Sequence, residues 1–225
     1  VRRTGEDWFV GTITNNDAII CEGVSVDIDY TTPSQNGDIS LIASYPAGVT
    51  GSVNYTGQSV GAGGKIIESL TNTSNTSQLV VYTFTPAANG CTGSPVIVSV
   101  LVEPTPTVAT SPDETICSGE STSITFSNPN NVTGTSYSWI VLSNTNVTGA
   151  SAGVGTGIIQ TLSSTDGTNV GTVVYEVTAS IGPCIGSMTT VQVDVNPDVI
   201  VDAGGPQVVC EGSNLTLGGS ITGGV

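Results

Sequence analysis

A hairpin motif that occurs twice constrains the fold of this chain more than any other feature. Val-Val-Tyr at 80–82 is followed, nine residues after the tyrosine, by Cys91, and Val-Val-Tyr at 173–175 is followed in the same way by Cys184. In both copies the cysteine opens a Cys-x-Gly-Ser sequence, and an alternating apolar segment comes next. A strand, a glycine-containing turn and a second strand predict a β-hairpin. Its recurrence predicts a tandem array.

A second motif, Cys-x-Gly, precedes the first strong strand of each unit of the array. Cys117 follows Cys21 by 96 residues, and Cys210 follows Cys117 by 93 residues. The two hairpin cysteines also lie 93 residues apart. A period of this length is that of one Ig-sized β-sandwich and is too long for solenoid repeats.

The composition favours strands and turns. Thr, Ser, Asn and Gly supply most of the polar residues, and the chain contains 29 Gly and 11 Pro but only three Lys and Arg together. Thr favours strands, whereas Gly, Asn and Pro favour turns. We therefore predict an all-β protein of tandem Ig-like β-sandwich domains in an elongated array, with almost no helix.

Prolines mark the boundaries of the units. Pro104 and Pro106 follow the first unit and Pro197 follows the second; proline lacks a backbone N–H and stiffens a linker. The predicted segments are 1–8 as the tail of a preceding unit or a linker, 9–103 as repeat one, 104–196 as repeat two, and 197–225 as the start of a third, incomplete repeat.

Large side chains at alternating positions identify the expected core. In repeat two, Trp139 is the predicted central core residue, and Tyr175 is a candidate corner tyrosine near the start of its strand. Tyr82 is the equivalent core residue of repeat one. Leu41 stands where repeat two has Trp139, so we expect the first core to be packed differently. Repeat one also carries about six extra residues, which we assign to a glycine-rich surface loop at 54–64.

The combined motifs resemble a known family. Ile-Cys-x-Gly, Tyr-Ser-Trp, Val-Thr-Gly, Ile-Ile-x-x-Leu, Val-Val-Tyr and Cys-x-Gly together resemble the PKD-like, Ig-like repeats of very large cell-surface adhesins of Bacteroidota-type bacteria. Many of these adhesins are type IX secretion substrates or gliding-motility-associated proteins. Asp202-Ala-Gly-Gly-Pro, leading to Cys210, looks like the start of a related PKD-type repeat.

The resemblance implies a structural role outside the cell. It implies an exported, non-catalytic repeat segment of a surface adhesin, stalk or filament that gives reach and rigidity for adhesion or gliding. The implied partners are neighbouring repeats of the same polypeptide and other copies in a filament. In one version of this hypothesis the strand-like segment 8–14 of one copy completes the open edge of another.

Five cysteines in an exported repeat predict disulfides. The simple pairing joins Cys21 to Cys91 and Cys117 to Cys184, and it leaves Cys210 with a partner outside the chain. In a standard Ig layout, however, the first turn and the last hairpin lie at opposite ends of the sandwich, too far apart for a disulfide. A staggered bond between Cys21 and Cys184 would instead join neighbouring repeats. Both pairings remain open at this level.

Several kinds of chemistry are missing from the sequence. The chain has no histidine, which excludes Ser-His-Asp and Cys-His arrangements and His-based zinc sites. The densest carboxylate cluster is Asp27, Asp29 and Asp38, which we interpret as an exposed face, with weak calcium binding as the alternative. We predict no enzymatic activity and no other cofactor.

Two other functions are compatible with these repeats. Loops such as 54–64 or 149–157 could contact a glycan or a host surface, although aromatic residues make up only 5% of the chain and Trp8 is the exception outside the repeat core. The units could also be spacers in a secreted multidomain enzyme. A net charge of −15 argues against nucleic acid as a partner, and no apolar run approaches the length of a membrane span.

Overall fold

Strands account for all of the regular structure that is described. The computed structural model describes residues 19–32, 37–216 and 218–223. Every helix-or-strand element within these ranges is a β-strand, which confirms the predicted all-β fold. The predicted tail or linker at 1–8 and the strand-like segment at 8–14 lie outside the described residues.

The chain divides into two compact units. Unit 1 extends to Pro106 and also includes the short segments Asn130–Gly134 and Ser180–Ile185. Unit 2 consists of Thr107–Pro129, Thr135–Ala179 and the residues from Gly186 onward.

Unit 1 is a sandwich of two sheets. Its strands are β1 (Ile19–Cys21), β2 (Ser25–Thr31), β3 (Gly37–Ser44), β4 (Val49–Gly51), β5 (Thr56–Ser59), β6 (Gly63–Asn72), β7 (Gln78–Ala88), β8 (Cys91–Thr92) and β9 (Val96–Glu103). One sheet has the order β1-β9-β7-β3-β5, with β8 paired to β7, and β1 runs parallel to β9. The other sheet has the order β2-β6-β4, with antiparallel neighbours.

Alternation along the strands builds the core of unit 1. In β7 the side chains of Val80, Tyr82 and Phe84 are completely buried, and the residues between them are more exposed. Strand β2 alternates strictly between exposed and buried residues. One face of each sheet is therefore apolar, and the two faces pack against each other. Leu41, in β3, is completely buried in this core.

Unit 2 repeats the topology of the larger sheet of unit 1. Its strands are β10 (Ala109–Thr110), β11 (Glu114–Cys117), β12 (Ile124–Ser127), β13 (Ser136–Thr145), β14 (Val147–Thr148), β15 (Gly153–Val154), β16 (Gly157–Ile158), β17 (Ser163–Ser164), β18 (Gly171–Ile181) and β19 (Cys184–Asn196). The order β11-β19-β18-β13-β15, with β11 parallel to β19, matches that of the larger sheet of unit 1. The prediction of tandem β-sandwich domains is confirmed.

The second sheet differs between the repeats. In unit 1 the single strand β6 pairs with both β2 and β4. In unit 2 its place is taken by two short strands, β16 paired with β12 and β17 paired with β14, and the bridge between Ser121 and Thr161 lies between them. The predicted loop at 54–64 is not wholly irregular, because it contains β5, which pairs with β3 at the edge of the larger sheet.

A small ribbon follows the second sandwich. Strands β20 (Ile200–Asp202) and β21 (Ser220–Thr222) form an antiparallel pair whose side chains are exposed. Whether 197–225 begins a third repeat, and whether the repeats end at 103 and 196, remain predictions.

Candidate functional site

A disulfide joins Cys21 to Cys184, with the two sulfur atoms 2.04 Å apart and the two Cα atoms 5.3 Å apart. Both cysteines lie in unit 1, because the segment Ser180–Ile185, which contains the end of β18 and the start of β19, is grouped with unit 1 although the rest of both strands belongs to unit 2. The bond closes a loop across 163 positions of the sequence. In the chain-entropy model such a closure stabilises the folded state by about 5 kcal/mol.

The simple pairings, Cys21–Cys91 and Cys117–Cys184, are wrong for this structure, and the length of the strands explains why. Cys21 pairs with Glu103 at the end of β9, whereas Cys91 lies in the short strand β8, before β9 begins at Val96. At ~3.4 Å per residue these two ends of β9 are roughly 24 Å apart. A disulfide needs Cα atoms within about 7 Å.

The same argument applies in the second repeat. Cys117 pairs with Asn196 at the end of β19, and Cys184 begins that strand. The length of β19 separates them by roughly 40 Å at ~3.4 Å per residue. Neither repeat can close a disulfide between its own two cysteines.

Apolar side chains surround the disulfide. Val132, Ile181 and Cys184 form a small buried cluster, with the half-buried Cys21 packed against it. Nearby, the backbone N–H of Thr133 donates to the carbonyl of Asn75 over 2.8 Å. All of these residues belong to unit 1. The bond is therefore shielded rather than displayed on the surface.

Three cysteines share one turn geometry. In each Cys-x-Gly turn the backbone N–H three residues after the cysteine donates to the cysteine carbonyl, over 3.0 Å at Cys21 and 3.1 Å at Cys117 and Cys210. The glycine has φ of 81°, 86° and 87° at Gly23, Gly119 and Gly212 respectively. A positive φ at the third position is typical of a type II turn and favours glycine. The sequence motif therefore marks a repeated piece of backbone.

The other three cysteines, Cys91, Cys117 and Cys210, are free and exposed. Cys117 occupies in β11 the place that Cys21 occupies in β1. Cys91 follows the tight β7–β8 turn, as Cys184 follows the β18–β19 turn. The partner of Cys210 outside the chain remains a prediction.

The predicted acidic cluster is split between the two sheets. Asp27 and Asp29 lie together on the exposed face of β2, where the Lys65 ammonium contacts both, at 2.7 Å from Asp27 Oδ1 and 3.5 Å from Asp29 Oδ1. Asp38 lies in β3, and its Oδ1 accepts hydrogen bonds from Ser59 Oγ at 2.6 Å and from the Gly61 N–H at 3.1 Å. These hydrogen bonds lower the pKa of Asp38, and the bond from Ser59 contributes most. The structure does not bring the three carboxylates together as calcium ligands.

Metal and membrane sites are not found among the described ranges. Within residues 19–32, 37–216 and 218–223, no group of three or more His, Cys, Asp and Glu could hold a metal ion. A search of the same residues finds no helix with the length and apolar character needed to cross a bilayer.

The main polar feature of the interior is a buried carboxylate that the sequence reasoning missed. Glu68 is only 1% exposed, and all four of its partners are donors. Its Oε1 accepts from the Tyr45 hydroxyl at 2.7 Å and from the N–H groups of Val53 and Asn54 at 3.3 and 3.2 Å. Its Oε2 accepts from the Tyr82 hydroxyl at 2.7 Å. Four donors fit an ionised carboxylate, which is acceptor-only.

A signal for Glu68 was present in the sequence. In β6 the side chains of Ile66, Glu68 and Leu70 alternate on one face, and all three are buried. A charged residue that alternates with apolar residues on one face of a strand is expected to be buried, and a buried charge needs hydrogen-bond partners. The hydroxyls of two tyrosines supply them.

Repeat two carries a neutral version of this contact. Gln160 aligns with Glu68, and its Oε1 accepts from the Tyr175 hydroxyl at 2.8 Å. Tyr175 is therefore not a corner tyrosine, because its hydroxyl binds a side chain and not the upstream backbone. In both repeats a tyrosine of the larger sheet reaches a side chain on or next to a strand of the smaller sheet.

Burial controls the acidity of these tyrosines. The pKa values of Tyr82 and Tyr45 are raised far above the ordinary value; burial is the largest cause, and the hydrogen bond to Glu68 is the second. Burial alone raises the pKa of Tyr175 to about 12. The neutral phenols are thus the stable forms inside the sandwich.

Trp139 is buried in β13, and Leu41 holds the corresponding place in β3. The Trp139 ring packs on Gly153, where a Cβ atom would lie 2.4 Å from Cζ2. Its Nε1–H donates to the carbonyl of Ser151 at 3.0 Å. At the position across from Leu41, strand β5 carries Gln58 in place of a glycine. The larger ring in repeat two is thus accommodated by a glycine on the neighbouring strand.

Comparison with known families identifies these two sandwiches. A family model described as a PKD-like domain matches residues 18–106 and again residues 114–199. The chain belongs to the PKD-like domain family. Among curated proteins, none matches the sequence significantly.

Several solved structures are similar to this PKD-like chain. The D00-D0 domain of intimin is 16% identical over 80% of this chain and 97% of that one, with a TM-score of 0.35. Cadherin-23 EC22-24 from mouse is 16% identical over 92% and 74%, with a TM-score of 0.34. A protein of unknown function from Porphyromonas gingivalis W83 is 13% identical over 82% and 99%, with a TM-score of 0.31.

Proposed function

We propose that this PKD-like chain is a non-catalytic structural segment of a large secreted bacterial surface adhesin, stalk or filament. It gives reach and rigidity for adhesion or gliding. The observation that carries the proposal is the Cys21–Cys184 disulfide, which closes 163 positions of the sequence into one covalent loop. The motifs resemble adhesin repeats of Bacteroidota-type bacteria, many of which are type IX secretion substrates, and this resemblance supports a location at the bacterial cell surface.

The disulfide suits a segment that transmits force. Tension applied at the chain ends passes through Cys21 and Cys184 while the bond is intact. The residues between these two cysteines, which include most of both sandwiches, then cannot be pulled out as extended chain. Disulfides persist in oxidising environments, so the bond also supports a location outside the cytoplasm.

The described surface favours a spacer over a sugar-binding module. Sugar binding by stacking requires an exposed aromatic ring. Within the part of the chain that the structure describes, every Tyr, Phe and Trp side chain is buried or half-buried. The net charge of −15 supports solubility and opposes collapse of one segment onto another.

Pulling single molecules by their two ends tests this function. With the disulfide intact, we expect unfolding to release only the chain outside the loop. A reductant should add the extended length of 163 residues, about 550 Å at ~3.4 Å per residue. A molecule that releases its full length equally with and without reductant would contradict a force-bearing role for the bond.

Matched variants separate this bond from the free thiols. Cys184→Ala should release the full length without reductant, whereas Cys117→Ala should behave like the unaltered chain. Binding to immobilised glycans tests the competing function. We expect none, and saturable binding to a defined sugar would favour a binding module.

A further inference from the structure

The free thiols of Cys91 and Cys117 occupy the same places in the repeats as the two cysteines that are bonded. Cys117 ends β11 in a Cys-x-Gly turn, as Cys21 ends β1. Cys91 opens the second strand of the β7–β8 hairpin, as Cys184 opens that of the β18–β19 hairpin. Each free cysteine therefore occupies a position that is disulfide-bonded in the other repeat.

Neither of these cysteines can use the other cysteine of its own repeat. The length of β9 lies between Cys91 and Cys21, and the length of β19 lies between Cys117 and Cys184. The bond that does form joins the first-turn cysteine of repeat one to the hairpin cysteine of repeat two. In this bond the first-turn cysteine comes from the earlier repeat and the hairpin cysteine from the next one.

We propose that Cys91 and Cys117 are disulfide sites for neighbouring repeats of the same kind. Cys117 bonds the hairpin cysteine of a PKD-like repeat that follows it, and Cys91 bonds the first-turn cysteine of one that precedes it. Cys210, which has the same turn as Cys21 and Cys117, continues the series. The array then becomes a ladder in which each repeat is bonded to both of its neighbours.

The exposure of these thiols fits this assignment. Cys91 and Cys117 are both exposed, whereas Cys184, which has its partner, is 2% exposed. In the complete bond, Val132 and Ile181 cover the sulfur atoms. A thiol that stays exposed at the equivalent position is accessible to a second cysteine.

Each new bond has a simple balance. Two thiols react with a low-molecular-weight disulfide such as oxidised glutathione. One S–S bond forms in the protein, the S–S bond of the oxidant breaks, and the oxidant leaves as two thiols. The proposal needs only tandem repeats in an oxidising environment, so it stands or falls separately from the role in adhesion.

Adding one repeat to the intact chain tests the ladder. A second copy of residues 104–196 is inserted after Asn196. In the inserted copy Cys117→Ala removes one thiol, and Ile185→Val, at an exposed position, marks its hairpin peptide. After oxidation with glutathione disulfide, disulfide-linked peptides are mapped by mass spectrometry without reduction.

We expect two bonds, Cys21 to the unmarked hairpin cysteine and Cys117 to the marked one. Alkylatable thiols should fall from three in the native chain to two. The Cys21–Cys184 bond reports within the same molecule that folding and oxidation succeeded. Cys117 that stays alkylatable, or that bonds to the unmarked Cys184 of its own repeat, overturns the proposal. Loss of the Cys21–Cys184 bond in the extended chain also overturns it, because the observed bond between successive repeats would then not persist when a repeat is added.

Discussion

The Tyr82 hydroxyl donates to Glu68 Oε2 over 2.7 Å, from one sheet of the sandwich to the other. The tyrosine is completely buried and the carboxylate is 1% exposed. A buried carboxylate is costly unless it is well hydrogen-bonded. The contact therefore helps to determine how the two sheets of unit 1 face each other.

Removing the Tyr82 hydroxyl should destabilise unit 1. Tyr82→Phe leaves Glu68 buried with one donor fewer, and we expect a loss of about 1–3 kcal/mol in the free energy of unfolding. The matched change is Tyr175→Phe, where the acceptor is a neutral amide that keeps a bond from the Ser151 N–H, so the expected loss is about 0.5–1.5 kcal/mol. Urea unfolding of both variants measures the difference. Equal losses would contradict a special role for the charge.

Exchanging the side chains of the two acceptors, Glu68 and Gln160, should destabilise both repeats. In Glu68→Gln, an amide NH₂ replaces an oxygen that only donors surround. In Gln160→Glu, a carboxylate oxygen replaces the Nε2 that donates to the Ser151 carbonyl at 2.8 Å. Each exchange should cost about 1–3 kcal/mol in the free energy of unfolding, because it places a donor against donors in one variant and an acceptor against an acceptor in the other. Denaturant midpoints measure both, and an unchanged midpoint in either variant would show that the two side chains are interchangeable.

Two glycines should resist replacement because of what packs on them. A Cβ at Gly51 would lie 2.0 Å from Glu68 Oε1, and one at Gly153 would lie 2.4 Å from Trp139 Cζ2. We expect each alanine variant to lose about 1–3 kcal/mol through overpacking. Gly167 has open space around it, so Gly167→Ala is the control, with an expected change within about 0.5 kcal/mol. Thermal unfolding ranks the three, and a control as damaging as the other two would refute the packing argument.

Alkaline solution should unfold the chain through its buried tyrosines. In the unfolded chain tyrosines ionise near pH 10, whereas in the fold the pKa is raised to about 12 for Tyr175 and is raised further for Tyr82. A raised folded pKa means that this stability is fully present below about pH 10 and is lost as the pH rises beyond it.

Tyrosinate absorbance and circular dichroism, followed together on protein whose free thiols are alkylated, test this expectation. The buried phenols should ionise only as the strand signal is lost. Tyr82→Phe should reduce the steepness of the decline with pH. Complete ionisation near pH 10 with an intact strand signal would show that the phenols are accessible to water.

Much of the fold was predictable because a strand is a local property. The alternation around Tyr82 and Tyr175 depends on a side-chain period of two, which any strand with one buried face must follow. The Cys-x-Gly turns are equally local, since a positive φ at the third position selects glycine within four residues. The period of 93 to 96 residues then indicated sandwiches in tandem, and the family match at 18–106 and 114–199 agrees with it.

The functional features depended on contacts between residues far apart in the chain. Glu68 could be read as an inward position of β6, but only the packed sandwich shows that Tyr45 and Tyr82 supply its donors. Asp27, Asp29 and Asp38 are close together in the sequence, yet β2 and β3 belong to different sheets. A strand and its neighbour in sequence can be assigned to opposite layers only when the pairing partners are known.

By itself the sequence determined which residues form strands, where the turns fall and that the unit is duplicated, because propensity, alternation and turn chemistry operate over a few residues. The tertiary structure alone decided that Cys21 bonds Cys184 and that Cys91 and Cys117 remain free. Similar separations, 70 positions from Cys21 to Cys91 and 67 from Cys117 to Cys184, favoured the within-repeat pairing in the sequence. The parallel pairing of β1 with β9 places Cys21 at the far end of that strand from Cys91, and a disulfide cannot span the length of a strand.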